Sequence, residues 1–84
     1  MTGLQHCILT ALADGQPRTT RRVWATIFRW EWGLRDRPSR GGVGACLKRL
    51  ATRGWVRQDF VLGSSIWRVQ PAGTEALEAY NRSA

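Results

Sequence analysis

The arginines are the residues of this sequence whose chemistry is most evident. The 84-residue chain has thirteen basic and six acidic residues and a formal net charge of +7. Eleven of the basic residues fall between positions 18 and 57, where Glu31 and Asp36 are the only acids, so the local net charge is +9. A guanidinium forms paired hydrogen bonds with phosphate and with the edge of guanine. The charge favours a surface that binds a polyanion, most commonly a phosphate backbone, over a basic surface with no specific partner.

No comparable set of residues in the sequence suits catalysis or metal binding. His6 is the only histidine, and no nucleophile or carboxylate is placed to act with it. Cys7 and Cys46 lie among apolar helical positions, which is typical of buried reduced thiols, and with one histidine they form no zinc site. The glycines at 41, 42 and 44 lack the preceding strand of a dinucleotide-binding loop. We therefore expect a binding protein with no enzymatic activity and no cofactor.

Two helices are predicted in the first third of the chain. Apolar residues recur at helical spacing from position 4 to position 12 and stop before an Asp-Gly pair, so a first helix is expected at about 3–13. His6 would lie on its solvated face. A second helix is expected at about 20–30, with Thr19 or Thr20 as its cap and with Val23 and Ile27 facing the core.

A third helix is predicted at about 40–53, although three of its first five residues are glycines. Ser39 follows a proline and is a good N-cap, and Gly54 would end the helix. With the apolar residues at 43, 46, 47 and 50 facing inward, the opposite face is small at Gly41 and Ala45 and then polar or cationic. Each glycine costs a helix roughly 1 kcal/mol relative to alanine. We infer that the small face permits the close approach of a ligand.

From position 55 the apolar pattern changes from helical to alternating. The segments WVRQDF and IWRVQ flank a turn at Gly63, Ser64 and Ser65 and predict a hairpin at about 55–69, and PAGT leads into a helix at about 73–82. This order of elements resembles a winged helix-turn-helix domain. LKRLATRGWVRQ looks like a recognition helix that continues into a wing strand, and IWRVQPAGTEALEAY is similar to the second wing strand and last helix. The resemblance implies an α+β fold, with one domain over 1–84.

The resemblance also implies double-stranded DNA as the partner, bound by a small bacterial or phage transcriptional regulator. The third helix would read the major groove, while the start of the second helix and the hairpin would contact the backbone and the minor groove. The expected DNA-contacting residues are Thr19, Thr20, Arg21, Arg22, Arg37, Ser39, Arg40, Gly41, Gly44, Ala45, Lys48, Arg49, Thr52, Arg57, Ser64, Ser65 and Arg68.

The same residues allow a second interpretation, a winged-helix module that binds a protein. The small patch at Gly41, Gly44 and Ala45 would equally admit another helix, and Trp30 and Trp32 are suited to anchor an interface. Packing of these two tryptophans against the core is an equally weighted alternative. DNA binding is expected to weaken steeply with ionic strength, whereas an interface anchored by tryptophans is not.

Two further expectations concern assembly and location. Because one small domain contacts few base pairs and operators are often symmetric, we expect a homodimer. No segment is apolar for the length of a membrane span, and no basic region precedes the first apolar stretch, so we expect a cytoplasmic protein that does not contact membranes.

Structured RNA is an alternative to DNA as the polyanion that the basic surface binds.

Overall fold

The computed structural model describes residues 1–30 and 38–83, and within them the elements follow the predicted order with one addition. The elements are α1 (Gly3–Ala11), β1 (Arg18–Thr19), α2 (Thr20–Phe28), α3 (Arg40–Thr52), β2 (Val56–Val61), β3 (Ser64–Val69) and α4 (Pro71–Ser83). The predicted α+β class is confirmed. Helices α1 and α2 each end two residues earlier than predicted, and α4 begins two residues earlier because proline is well tolerated at the first position of a helix.

Short polar side chains fix where α2 and α3 begin. The Thr19 hydroxyl accepts a hydrogen bond from the Arg22 amide at 3.1 Å, so Thr19 is the cap of α2. The Ser39 hydroxyl accepts from the Gly42 amide at 3.0 Å and caps α3 as predicted. Gly54 follows α3 with a φ of 78°, the left-handed conformation that glycine adopts most easily after a helix.

The strand β1 is the addition to the predicted architecture. Arg18 and Thr19 pair antiparallel with Trp67 and Ile66 of β3, which makes a three-stranded sheet in the order β1-β3-β2. A strand of two residues is too short to show the alternation that reveals strands in a sequence. Through this pairing, β1 joins the start of α2 to the hairpin.

The hairpin between β2 and β3 turns earlier than predicted. Val61 pairs with Ser64 and Phe60 pairs with Ser65, so the turn consists of Leu62 and Gly63. Both turn residues have positive φ, 52° and 82°, as a tight two-residue hairpin turn requires. The predicted turn at Gly63, Ser64 and Ser65 is therefore wrong, because both serines belong to β3.

The core lies between the helices and one face of the sheet, with Trp67 as its largest fully buried side chain. The indole of Trp67 donates a hydrogen bond to the Thr20 hydroxyl at 2.8 Å, and the indole of Trp24 donates to the Pro38 carbonyl at 2.9 Å. These bonds join α2 to the sheet and to the residues that precede α3. Trp30 is half-buried and packs against the core, which supports core packing for this residue. Trp32 lies outside the described residues.

Helix α4 packs over the side of α1 that was expected to face solvent. The His6 Nε2 atom lies 3.0 Å from the Asn81 Oδ1 atom, and the His6 ring lies 4.8 Å from the Tyr80 ring. His6 is therefore half-buried beside α4 rather than fully solvated as predicted, although its contact with Asn81 is exposed. The polar character of this face does not reveal a partner helix that lies about seventy residues away in the chain.

The two cysteines are free thiols, as expected, but only Cys46 is buried, and Cys7 is half-buried. Burial raises the pKa of both thiols. Within residues 1–30 and 38–83, no three histidine, cysteine, aspartate or glutamate side chains are grouped so that they could hold a metal ion. No helix in these two ranges has the length and apolar character needed to cross a membrane.

Candidate nucleic-acid interface

The outward face of α3 has the composition that the sequence predicts. Its inward stripe of Val43, Cys46, Leu47 and Leu50 is buried. The expected contact residues of α3 that are exposed are Arg40, Gly41, Ala45, Lys48, Arg49 and Thr52, and Ser39 before the helix is also exposed. After Arg40, the face is thus small over the first half of the helix, at Gly41 and Ala45, and cationic over the second half, at Lys48 and Arg49.

The glycines of α3 differ in their surroundings. A Cβ at Gly41 would have only the Ser39 hydroxyl nearby, at 3.9 Å, whereas a Cβ at Gly42 would lie 3.3 Å from the same capping atom. A Cβ at Gly44 would lie 3.6 Å from the Thr20 Cγ2 atom, so this half-buried glycine faces α2. Of the three, Gly41 belongs to the outer surface, and Gly44 is where α2 and α3 approach each other.

We predict that Gly41→Ala stabilises the protein by about 0.5–1 kcal/mol, because alanine is the better helix former and the added methyl group enters open space. Chemical unfolding followed by circular dichroism measures the change. Gly42→Ala is the matched control, since its methyl group would crowd the capping hydroxyl and offset the gain in helix propensity. A loss of stability in Gly41→Ala would contradict the placement of this glycine on the open face.

The start of α2 carries two threonines whose hydroxyl groups are used within the fold. Thr19 caps the helix, and Thr20 accepts the hydrogen bond of the buried Trp67 indole. Arg21 and Arg22 are exposed. The structure therefore gives Thr20 a structural role that the sequence analysis did not assign. Arg21 and Arg22 form no ion pair within residues 1–30 and 38–83.

We predict that Thr20→Val lowers the free energy of unfolding by about 1–3 kcal/mol, since it keeps the shape of the side chain but leaves the buried Trp67 N–H without an acceptor. Thermal unfolding measures the loss. Thr74→Val, at an exposed position in α4, is the control for the same substitution without a buried partner and should change stability by only a few tenths of a kcal/mol, because the two residues have similar helix propensities. Equal effects of the two substitutions would refute the structural role of the Thr20 hydroxyl.

Three of the predicted DNA-contacting arginines have close neighbours in the structure. The Arg40 guanidinium lies over the Trp24 ring, 5.7 Å from its centre. Arg57 and Arg68 are paired across β2 and β3 and so project from the same face of the hairpin, opposite to the buried Trp67. Arg57 also forms an exposed ion pair with Asp59 at 3.1 Å, which leaves Arg68 as the less compensated of the two. Arg37 lies outside the described residues.

The tip of the hairpin is apolar. Phe60, Val61 and Leu62 are 71%, 53% and 101% exposed, respectively. Ser64 is exposed beside the turn, but the Ser65 hydroxyl accepts a hydrogen bond from the Gln58 side chain at 2.9 Å. The predicted polar tip is therefore wrong. The sequence does contain a signal for this tip, the apolar triplet directly before Gly63, but the displaced turn assignment hid it.

A cationic cleft on α2 was also missed by the sequence analysis. Its volume is about 200 Å³, and its lining residues are Arg18, Arg22, Ala25, Thr26 and Arg29. The available signal was the spacing of Arg22 and Arg29, which are nearly two helical turns apart and so share a face. The position of Arg18 depends on β1, which the sequence does not reveal.

Solved structures of transcriptional regulators share this architecture. BpsR from Bordetella bronchiseptica, whose DNA binding is regulated by 6-hydroxynicotinic acid, is 17% identical, with a TM-score of 0.79 over 98% of this chain and 53% of its own. BldR from Sulfolobus solfataricus is 20% identical, with a TM-score of 0.78 over 98% of this chain and 54% of its own. A PadR family regulator from Clostridium difficile is 13% identical, with a TM-score of 0.82 over 98% of this chain and 86% of its own.

This chain spans about half the length of the first two of these proteins. No protein-family model and no curated protein sequence matches it. Identities at this level establish a common fold and leave function to be argued from the site. From the order of its helices, its three-stranded sheet and these superpositions, the chain has the winged helix-turn-helix fold.

Proposed function

We propose that this chain binds double-stranded DNA as a transcriptional regulator, with α3 in the major groove. The observation that carries the proposal is the exposed face of α3, which is small at Gly41 and Ala45 and cationic at Lys48 and Arg49. Small residues let a helix backbone approach base edges, and the cations supply donors to bases and phosphates. The net charge of +7 and the likeness in fold to known regulators support the same conclusion.

The elements beside α3 would position the protein on the DNA backbone. Arg21 and Arg22 at the start of α2, with Thr19, would contact phosphates. Arg68 and Arg57 on the outer face of the hairpin, with Ser64 near its tip, would contact the backbone or the minor groove. Such contacts add affinity and fix the orientation of α3 without reading sequence. Ser39, Arg40 and Thr52 would complete the α3 contacts. The DNA contacts expected of Arg37, Thr20, Gly44 and Ser65 stay predictions.

We also propose that two copies bind together. One α3 covers few base pairs, and the two halves of a symmetric operator are read by two recognition helices about one helical turn of DNA apart. Light scattering coupled to gel filtration, with and without a DNA duplex, measures the stoichiometry. Two chains per duplex are expected, and one chain per specific duplex would contradict the proposal.

An electrophoretic mobility shift assay tests the proposed function. The protein is titrated onto the DNA upstream of its own coding region and onto an unrelated duplex of equal length, at two salt concentrations and with competitor DNA. We expect tighter, competitor-resistant binding to the upstream DNA and a steep loss of affinity with salt, because phosphate contacts release bound counterions. Equal binding to both duplexes that disappears with salt would contradict a sequence-specific regulator.

A protein partner is the second candidate, and the apolar hairpin tip is the observation that favours it. Phe60, Val61 and Leu62 are three consecutive exposed apolar residues at the tip, and clustered exposed apolar residues are candidate binding surfaces. Trp30, which the sequence analysis offered as an anchor of a protein interface, is half-buried against the core and contributes little to such an interface. A protein partner bound through the tip would be retained at high salt and lost in Leu62→Ser. DNA bound through α3 would be lost at high salt and retained in Leu62→Ser.

A further inference from the structure

We infer that the cleft lined by Arg18, Arg22, Ala25, Thr26 and Arg29 on α2 is an anion site that binds a phosphate group. The cleft lies away from α3 but shares Arg22 with the backbone contacts proposed above. Its binding of free phosphate does not rest on the proposed function, whereas its binding of a backbone phosphate does. Its ligand is either a free phosphate or a phosphate of a nucleic-acid backbone, and the two sources share the same recognition chemistry.

The geometry of α2 places this cleft away from α3. Val23 and Ile27 are buried in the core, and the Trp24 indole reaches the Pro38 carbonyl just before α3. Arg22 and Arg29 are seven residues apart, which is about 10 Å along the helix axis and close to two full turns. They therefore project on the same side of α2, and this side faces neither the core nor α3.

The charges in the cleft are suited to an anion. Arg22 and Arg29 form no ion pair among the described residues, and both are exposed. Arg18 is held at one end of the cleft by Asp14, whose two carboxylate oxygens lie 2.7 and 2.8 Å from its guanidinium nitrogens. Hydrogen bonds from Arg18 and from the Gln16 amide lower the pKa of Asp14 to about 2, so this pair stays ionised at neutral pH. Within residues 1–30 and 38–83, the Arg22 and Arg29 guanidinium groups have no carboxylate at ion-pair distance, and an anion between them would relieve their repulsion.

The size and donors of the cleft select the class of ligand. A volume of about 200 Å³ is smaller than the roughly 300–1,000 Å³ that organic ligands occupy. The Thr26 hydroxyl donates to the Arg22 carbonyl at 2.9 Å, which leaves the arginines as the donors. Guanidinium groups bind phosphate through paired hydrogen bonds. A single phosphate group fits the volume of the cleft and pairs with its guanidinium donors, whereas a large cofactor does not fit.

An NMR titration of the ¹⁵N-labelled protein with inorganic phosphate tests the site directly. Sodium chloride at equal ionic strength is the reference. We expect saturable shifts of the side-chain and amide signals of residues 18–29, lost in the double variant R22A/R29A. The variant R53A/R82A removes the same charge elsewhere and should retain the shifts. D14N releases Arg18 from its ion pair and is expected to bind phosphate several-fold more tightly.

A DNA titration with the same variants identifies the source of the phosphate. If the cleft holds a backbone phosphate, R22A/R29A lowers the slope of log affinity against log salt by about 1 more than R53A/R82A does. If the cleft holds free phosphate, the NMR shifts that phosphate causes in the protein saturate, and the two variants give equal slopes of log DNA affinity against log salt. The site is refuted if the parent shows no saturable phosphate shifts and the two variants have the same DNA affinity and slope. DNA binding by the parent would survive that result, so a failure of the site and a failure of the proposed function are distinguishable.

Discussion

Gly73→Ala is expected to lower the free energy of unfolding by about 3 kcal/mol, a large part of the stability of so small a domain. Gly73 is buried in the first turn of α4, where a Cβ would collide with the Trp55 carbonyl and lie 3.1 Å from a methyl group of Val69. The Trp55 carbonyl accepts a hydrogen bond from the Gln70 amide at 2.9 Å, so it cannot move aside without losing that bond. The close approach of α4 to the residue before β2 therefore requires glycine at this position.

Urea unfolding followed by tryptophan fluorescence measures this loss. Gly3→Ala is the matched control, because it makes the same change in the first turn of α1, where a Cβ meets no atom within 4 Å. The control should be neutral or slightly stabilising. If Gly73→Ala changed stability by no more than Gly3→Ala, the packing of α4 against the start of β2 would be wrong.

The parts of the fold that depend on local periodicity were predictable from the sequence. Helix α3 is the clearest case, because its inward stripe and its Ser39 cap are encoded within fourteen consecutive residues. The parts that depend on distant contacts were not. Strand β1 exists because Arg18 and Thr19 pair with β3, and His6 meets α4 because the two ends of the chain pack together. Neither contact leaves a pattern in the local sequence.

The candidate binding surfaces also differ in how far the local sequence predicts them. The outer face of α3 could be derived on a helical wheel, since the buried residues at 43, 46, 47 and 50 define the opposite side. The apolar hairpin tip was obscured because the turn was assigned to residues 63–65, which placed two serines at the tip, whereas the observed turn is Leu62 and Gly63. The cleft on α2 required the position of Arg18, which only the pairing of β1 provides.

Ala45→Glu is expected to weaken DNA binding at least 100-fold if α3 lies in the major groove. Ala45 is exposed near the middle of the outer face, four residues after Gly41 and four before Arg49. The introduced carboxylate would face phosphates and base edges at close range, and like charges at an interface cost several kcal/mol. It would also compete with the DNA for Arg49. Fluorescence anisotropy with a labelled duplex, at two salt concentrations, measures the affinity.

Ala79→Glu on α4 is the matched control, because it changes the net charge of the protein equally at an exposed alanine in another helix. A general electrostatic effect would weaken both variants alike, whereas a contact surface on α3 affects Ala45→Glu alone. Loss of folding is not a competing explanation, since an ion pair with Arg49 four residues later contributes about 0.2–0.5 kcal/mol and offsets the lower helix propensity of glutamate relative to alanine. Equal affinities of the two variants would therefore remove α3 from the interface and direct attention to the hairpin tip and its protein partner.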